Sequence, residues 1–311
     1  MNRKGNTRKL TAGKVAAGIV GVALVTGYFL TGSAGASTQD QKIYQKALDR
    51  QTEVDKIGFQ EFTLADYPVS MYDGESDYVF YKGEITKREP VLETFAGTVY
   101  PVEDHFEVII PTMERMESVL SLVGGVEGMV TGSGYGQEEQ IATIWHEAFH
   151  AWQLSNFQIL GKSITAKEMD QKEVRKNQFK NEMKGWKKLV LSSDMSAGNI
   201  DEIKEAVLEY RELADARRSQ MSEQAIAAEL QSELTEGTAY YVESNVLRQQ
   251  KGDREYQTRY IDTLGTYMSG RGSLYRTGMA KCLILDVLAP DWKEQLDFTK
   301  SLDELLDEAV K

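Results

Sequence analysis

The sequence predicts an α+β chain in which a small β-rich part precedes a mostly helical domain. Four of the five prolines fall between Pro68 and Pro111, and short β-branched and aromatic runs separated by turn formers occupy the same stretch. From Glu138 onward apolar residues recur at helical spacing with hardly a break.

The first 36 residues stand apart from the folded body. Arg3, Lys4, Arg8, Lys9 and Lys14 make a basic start with no acidic residue, and a 16-residue apolar run, 15–30, follows. Ala34-Gly35-Ala36 places small residues at the −3 and −1 positions of a cleavage site. The segment reads equally as a signal peptide or as an N-terminal membrane anchor, and either sends the remainder out of the cell. No cysteine follows the run, which leaves no lipobox. An exported chain with a single cysteine, Cys282, has no internal disulfide and fits a Gram-positive bacterium better than a eukaryotic secretory route. Cys282 lies in an apolar helical stretch and reads as a buried inert thiol.

Residues 37–58 are polar and helix-compatible, as for a stalk. Residues 59–136 form the β-rich part, with strand signals at 62–64, 78–81, 97–100 and 106–110, a short helix at 113–122 and a glycine-rich loop at 124–136. That loop contains Gly132, Gly134 and Gly136 but neither the Rossmann spacing nor a Walker Lys-Ser/Thr, which excludes a phosphate-binding role. Residues 129–133 suit an edge strand or lip of a cleft as well as a plain connection. Residues 137–311 carry the helices, predicted at 138–158, 165–192, 199–218, 222–250, 254–269, 273–288 and 292–310. The charged insert at 162–218 reads as a solvated hairpin or as the wall of a cleft.

The chemistry concentrates in His146-Glu147-Ala148-Phe149-His150, which uses two of only three histidines. At i and i+4 on a helix both imidazoles project from one face and can share a zinc ion. Glu147 beside them can take a proton from an activated water. Ile141, Ile144, Trp145, Ala148, Phe149 and Trp152 supply the apolar stripe next to that face. A catalytic zinc keeps three protein ligands. Position 156, where a metzincin carries its third histidine, is Asn156, and the remaining histidine, His105, lies upstream between strand-like runs. A carboxylate is the best candidate for the third ligand.

Glu233-Leu234-Thr235-Glu236-Gly237-Thr238-Ala239-Tyr240-Tyr241 resembles the second zinc helix of the gluzincin metallopeptidases, in which Glu-Gly-x-Ala-x-Tyr recurs. The resemblance covers two helical segments about 85 residues apart and no particular subfamily. It implies a zincin-like fold, Zn2+ held by His146, His150 and Glu236, and close helix packing through Gly237 and Ala239. Thermolysin-like enzymes carry an acid four residues after the ligand Glu. Here that position is Tyr240, so the carboxylate that orients a zinc histidine must come from elsewhere, with Glu233 and Glu243 as candidates. Glu229, Glu233, Glu236, Tyr240 and Glu243 share one helix face, which otherwise reads as a solvated acidic stripe. The resemblance also implies an oxyanion donor, for which Tyr275 and Arg276 near a helix start are preferred over upstream His105.

These features imply an exported zinc-dependent metallopeptidase that hydrolyses peptide or protein substrates with Glu147 as general base. The alternative is a membrane-anchored sensor or binding protein that keeps the fold without turnover, although such a module would not need Glu147. The stretch by which aminopeptidases hold a substrate amine is not found. Removing the five basic residues of the N-terminal segment from the net charge of −12 leaves −17, a surface that disfavours nucleic acid and anionic membranes.

Overall fold

The computed structural model describes residues 36–122, 135–159, 173–194 and 199–311. The signal peptide or anchor expected before residue 36, the edge strand or lip expected at 129–133 and the start of the 162–218 insert lie outside them. Among the described residues no helix is long and apolar enough to cross a membrane.

The chain opens with α1 (Thr38–Leu48), capped by the Ser37 hydroxyl, and α2 (Gln51–Asp55). These helices are no stalk. α1 buries Ile43, Tyr44 and Ala47 in the main core, and the Ala47 carbonyl accepts the indole N–H of Trp145. The strand expected at 62–64 is also absent. Phe62 packs edge-on against Trp145 and Phe149, while its backbone is satisfied by a side chain. Gln51 donates to the Phe62 carbonyl and accepts from the Leu64 N–H. A run rich in β-formers thus became a buried loop because its apolar side chains and its backbone found different partners.

The sheet has five strands, β1 (Val69–Tyr72), β2 (Asp77–Tyr81), β3 (Glu84–Arg88), β4 (Thr98–Val102) and β5 (His105–Pro111), in the order β3-β2-β1-β5-β4. β1 and β5 run parallel and every other pair is antiparallel. The signals at 78–81, 97–100 and 106–110 correspond to β2, β4 and β5. β1 and β3 carried no comparable signal; β1 is short and β3 is an exposed polar edge. Register explains the sheet's inner face. Val69 pairs with both Phe80 and Val108, Met71 with Tyr78 and Ile110, and Val99 with Val108. All of these face the helices as one apolar surface.

The helices follow: α3 (Met113–Leu122), α4 (Gln137–Asn156), α5 (Glu173–Asp194), α6 (Ile200–Arg218) and α7 (Glu223–Lys251). Then come α8 (Asp253–Tyr256) with a π-helical turn at Gln257–Ile261, α9 (Gly272–Leu288) and α10 (Leu302–Ala309). Two predicted helices are shorter than expected. The one at 254–269 stops after the π turn, ahead of Gly270 at φ 68°. The last starts only at Ser301, whose capping box with Glu304 follows Phe298 at φ 58°.

α4 packs against β5, β4 and α7, and α9 packs along α7. The α7–α9 crossing is as close as backbones allow. A Cβ on Gly237 would fall 2.5 Å from the Gly278 Cα, and one on Gly278 would fall 2.3 Å from the Glu233 carbonyl oxygen. Gly278→Ala should therefore force the helices apart and cost about 1–3 kcal/mol, as overpacking does. A lowered urea midpoint at unchanged m-value would show it; an unchanged midpoint would mean that the crossing has slack.

Candidate metal centre

Three side chains from two helices meet between α4 and α7. Helical spacing on α4 turns His146 and His150 the same way, and their Nε2 atoms lie 3.2 Å apart. Glu236 of α7 brings Oε2 to 3.1 Å from His150 Nε2 and 3.9 Å from His146 Nε2. All three are buried. Ligand atoms arranged tetrahedrally at zinc bonds of 2.0–2.1 Å are about 3.3 Å apart, so the cluster has the size of a zinc ligand set. Two imidazole nitrogens turned on each other and on one carboxylate oxygen also make an awkward hydrogen-bonding arrangement, since each ring nitrogen has a single proton or lone pair to share between two neighbours. A divalent cation at that point suits all three lone pairs at once, and this donor set fits zinc.

The outer nitrogens are engaged too. His146 Nδ1 lies 2.8 Å from Glu243 Oε2, an ion-pair distance at an angle outside that of an aligned hydrogen bond. Glu243 is steadied from behind by the Tyr260 hydroxyl, which donates to Oε1 at 2.9 Å. His150 Nδ1 meets Gln153 Oε1 at 2.7 Å. Glu243 thus occupies the outer position expected of it. The acid lies seven residues after Glu236, and Tyr240, at the four-residue position, packs its ring between Tyr260 and Tyr275.

Glu233 does not. It turns toward α9, where it accepts from Thr277 Oγ1 at 2.5 Å and from Lys281 Nζ at 2.6 Å, with Arg218 Nη2 at 3.2 Å. Residues three apart on a helix differ by about 60° in direction, and on a helix flanked by two neighbours that suffices to send Glu233 one way and Glu236 the other. Nor is the stripe solvated: Glu229, Glu233 and Glu236 are all buried. Glu229 and Glu233 belong to an internal ionic cluster with Glu182, Arg217, Arg218, Lys281 and Asp303.

Glu147 points to the other side of the histidines, toward the sheet. It is buried, and its Oε2 has no hydrogen-bond partner among the described residues. Burial pushes its carboxyl up, partly offset by His146 and His150 and reinforced by Glu236 and Glu243. The approach of the sheet depends on Gly97, where a Cβ would lie 2.9 Å from both Cγ and Oε1 of Glu147. Around the histidines the charges are strongly coupled. Burial opposes charge on His146, but Glu236 and Glu243 outweigh it and raise that ring well above its ordinary value. Burial likewise pushes Glu236 up, and His150 and His146 outweigh it, holding the carboxyl well below the usual range.

Of the two preferred oxyanion donors, the structure brings only Tyr275 to the site. Its ring stacks on His146 with centroids 6.0 Å apart. Burial and the neighbouring Glu236 raise its phenol well above the ordinary value. Arg276 turns away, with Nη1 donating to the Thr266 carbonyl at 2.5 Å and Tyr240 as a further partner. The arginine nearest the cluster is Arg271, 3.7 Å from Glu236 Oε1. His105 pairs with Glu107 on β5 at 3.1 Å and takes no part.

Three residues at the site are not marked as such by the sequence: Gly97, Gln153 and Tyr260. Gln153 was accessible, because it follows His150 by three residues on the same face. Gly97 and Tyr260 reach the centre only through tertiary packing. No known protein family, curated protein or solved structure matches the chain.

The separation of Glu233 from the histidines has a measurable consequence. Glu233→Ala should lower stability by about 3–5 kcal/mol, because Arg218 and Lys281 would lose a buried partner. In the same cluster burial pushes Glu229 up, but Arg217 and Arg218 outweigh it and hold the carboxyl at about 2. A depressed folded pKa stabilises above the unfolded value and is lost as pH falls through the folded one. Urea midpoints should therefore fall between roughly pH 4.5 and pH 2, less steeply in Glu229→Gln. Parallel pH profiles for the two proteins would contradict this.

Proposed function

We propose that this chain is a zinc-dependent metallopeptidase with a zincin-like fold, hydrolysing peptide bonds at the His146/His150/Glu236 centre. The observation that carries the proposal is the convergence of those three ligand atoms at zinc-like spacing, beside a buried carboxylate with a free oxygen. A purely structural site closes its fourth position with a protein ligand. Here no fourth protein ligand joins the three among the described residues, and Glu147 and Tyr275 lie beside the histidines, which suits a reaction.

Zinc held by His146, His150 and Glu236 would supply Lewis-acid polarisation of a carbonyl and acidify water. The protein's own groups divide the remaining work. Glu147, with a carboxyl raised by burial, takes a proton from the attacking water and returns it to the leaving amine. Tyr275, kept protonated, offers a hydroxyl to the developing oxyanion. Glu243 and Tyr260 hold His146 in place. β4 is an outer strand of the sheet and is entered through Gly97, next to Glu147. An extended peptide can add to that edge with its backbone beside the carboxylate, which favours a peptide over a small-molecule substrate. The basic and apolar N-terminal segment supports an extracellular or cell-surface location.

Metal analysis and a mixed peptide library test this together. The wild-type chain should bind one zinc, and His146→Ala and Glu236→Ala should lose it. Glu147→Gln should keep the metal while cleavage drops by about 10²–10⁴-fold, the usual contribution of a general base. Equal cleavage by wild type and Glu147→Gln would remove Glu147 from the chemistry, and a wild type without zinc would remove the proposal.

A further inference from the structure

The metal centre proposed above contains two histidines with different outer partners, and the one at His150 can be read to the level of the proton. Gln153 is buried on the α4 face that carries His150. Its Nε2 lies 3.1 Å from the Thr235 carbonyl oxygen and 2.9 Å from Thr238 Oγ1. A backbone carbonyl only accepts, so the group facing Thr235 must be the NH2 end of the amide. Thr238 agrees, because its hydroxyl hydrogen is directed to the Leu234 carbonyl at 2.6 Å and its oxygen is left to accept. With the amide oriented in this way, its oxygen faces His150 Nδ1 at 2.7 Å. An amide oxygen cannot donate, so Nδ1 must carry the proton. The lone pair of the neutral ring then falls on Nε2, the atom that faces His146 and Glu236.

We infer that Gln153 is a positioning residue that sets the tautomer of His150, relaying to it an orientation dictated by Thr235 and Thr238 of the second helix. Thr235 and Thr238 bracket Glu236, so one short stretch of α7 delivers a ligand and prepares another on α4. The partner is a neutral amide, whereas His146 faces the carboxylate of Glu243. The two ligands therefore differ in basicity, because only a carboxylate partner lends the ring anionic character.

The inference rests on the metal-site reading, and its test keeps the two apart. With only three histidines in the chain, histidine-labelled full-length protein gives a simple two-bond nitrogen–proton correlation spectrum. In the zinc-free wild type, at a pH where the ring is neutral, the His150 proton should sit on Nδ1. Gln153→Leu should bind zinc about 10–100-fold more weakly in chelator competition, the usual cost of losing an outer partner. A His150 proton on Nε2, or wild-type zinc affinity in Gln153→Leu, would overturn the assignment while leaving the metal site standing. A wild type that binds no zinc would overturn the site and the relay with it. Should Gln153→Leu fail to fold, the wild-type spectrum alone decides.

Discussion

The position of α7 between α4 and α9 is the constraint on which the rest of the molecule depends. Gly237 and Gly278 let α9 approach α7 until backbone meets backbone, leaving no room for water on that side. With α4 on its opposite side, α7 is a buried helix carrying several carboxylates, and each must find a partner of its own. Glu229 and Glu233 find Arg217, Arg218 and Lys281. Glu236 finds two imidazoles.

The two charge clusters on this one helix differ in a way that bears on chemistry. In the Glu229/Glu233 cluster the carboxylates pair directly with guanidinium and ammonium groups, and these pairs hold α6, α7, α9 and α10 together. The cluster around the histidines gathers three carboxylates, Glu147, Glu236 and Glu243, about two imidazole rings, with Arg271 3.7 Å from Glu236. Burial of excess negative charge is costly unless a cation balances it. The same imbalance is the physical setting in which a divalent ion binds and a nearby carboxyl is held ready to accept a proton.

The comparison of sequence with structure is instructive at particular residues. His146, Glu147 and His150 were legible because helical periodicity places i and i+4 together whatever the rest of the chain does. Glu243 fell within reach of the same argument, as one of two acids on a helix face. Glu233 is on that face as well but meets Thr277 and Lys281, since periodicity gives a direction on a helix but not the neighbour that waits there. Arg276 and Tyr275 are adjacent and point differently for the same reason. Phe62 shows the limit for strands: β-propensity describes a side chain that packs well on a pleated surface, and Phe62 packs instead among Trp145 and Phe149 while Gln51 takes its backbone.

The sequence by itself determined what is local. The order of a β-rich part before helices, the paired histidines with their carboxylate, and the small residues flanking Glu236 all follow from spacing and residue type. Tertiary structure alone decided which acid of α7 meets the histidines and which meets Lys281. It also brought Gly97 of the sheet against Glu147, Tyr260 behind Glu243, and Thr235 and Thr238 onto the amide of Gln153. These are contacts between elements far apart in the chain, fixed by how closely helices and sheet can approach, and spacing along the sequence carries no record of that distance.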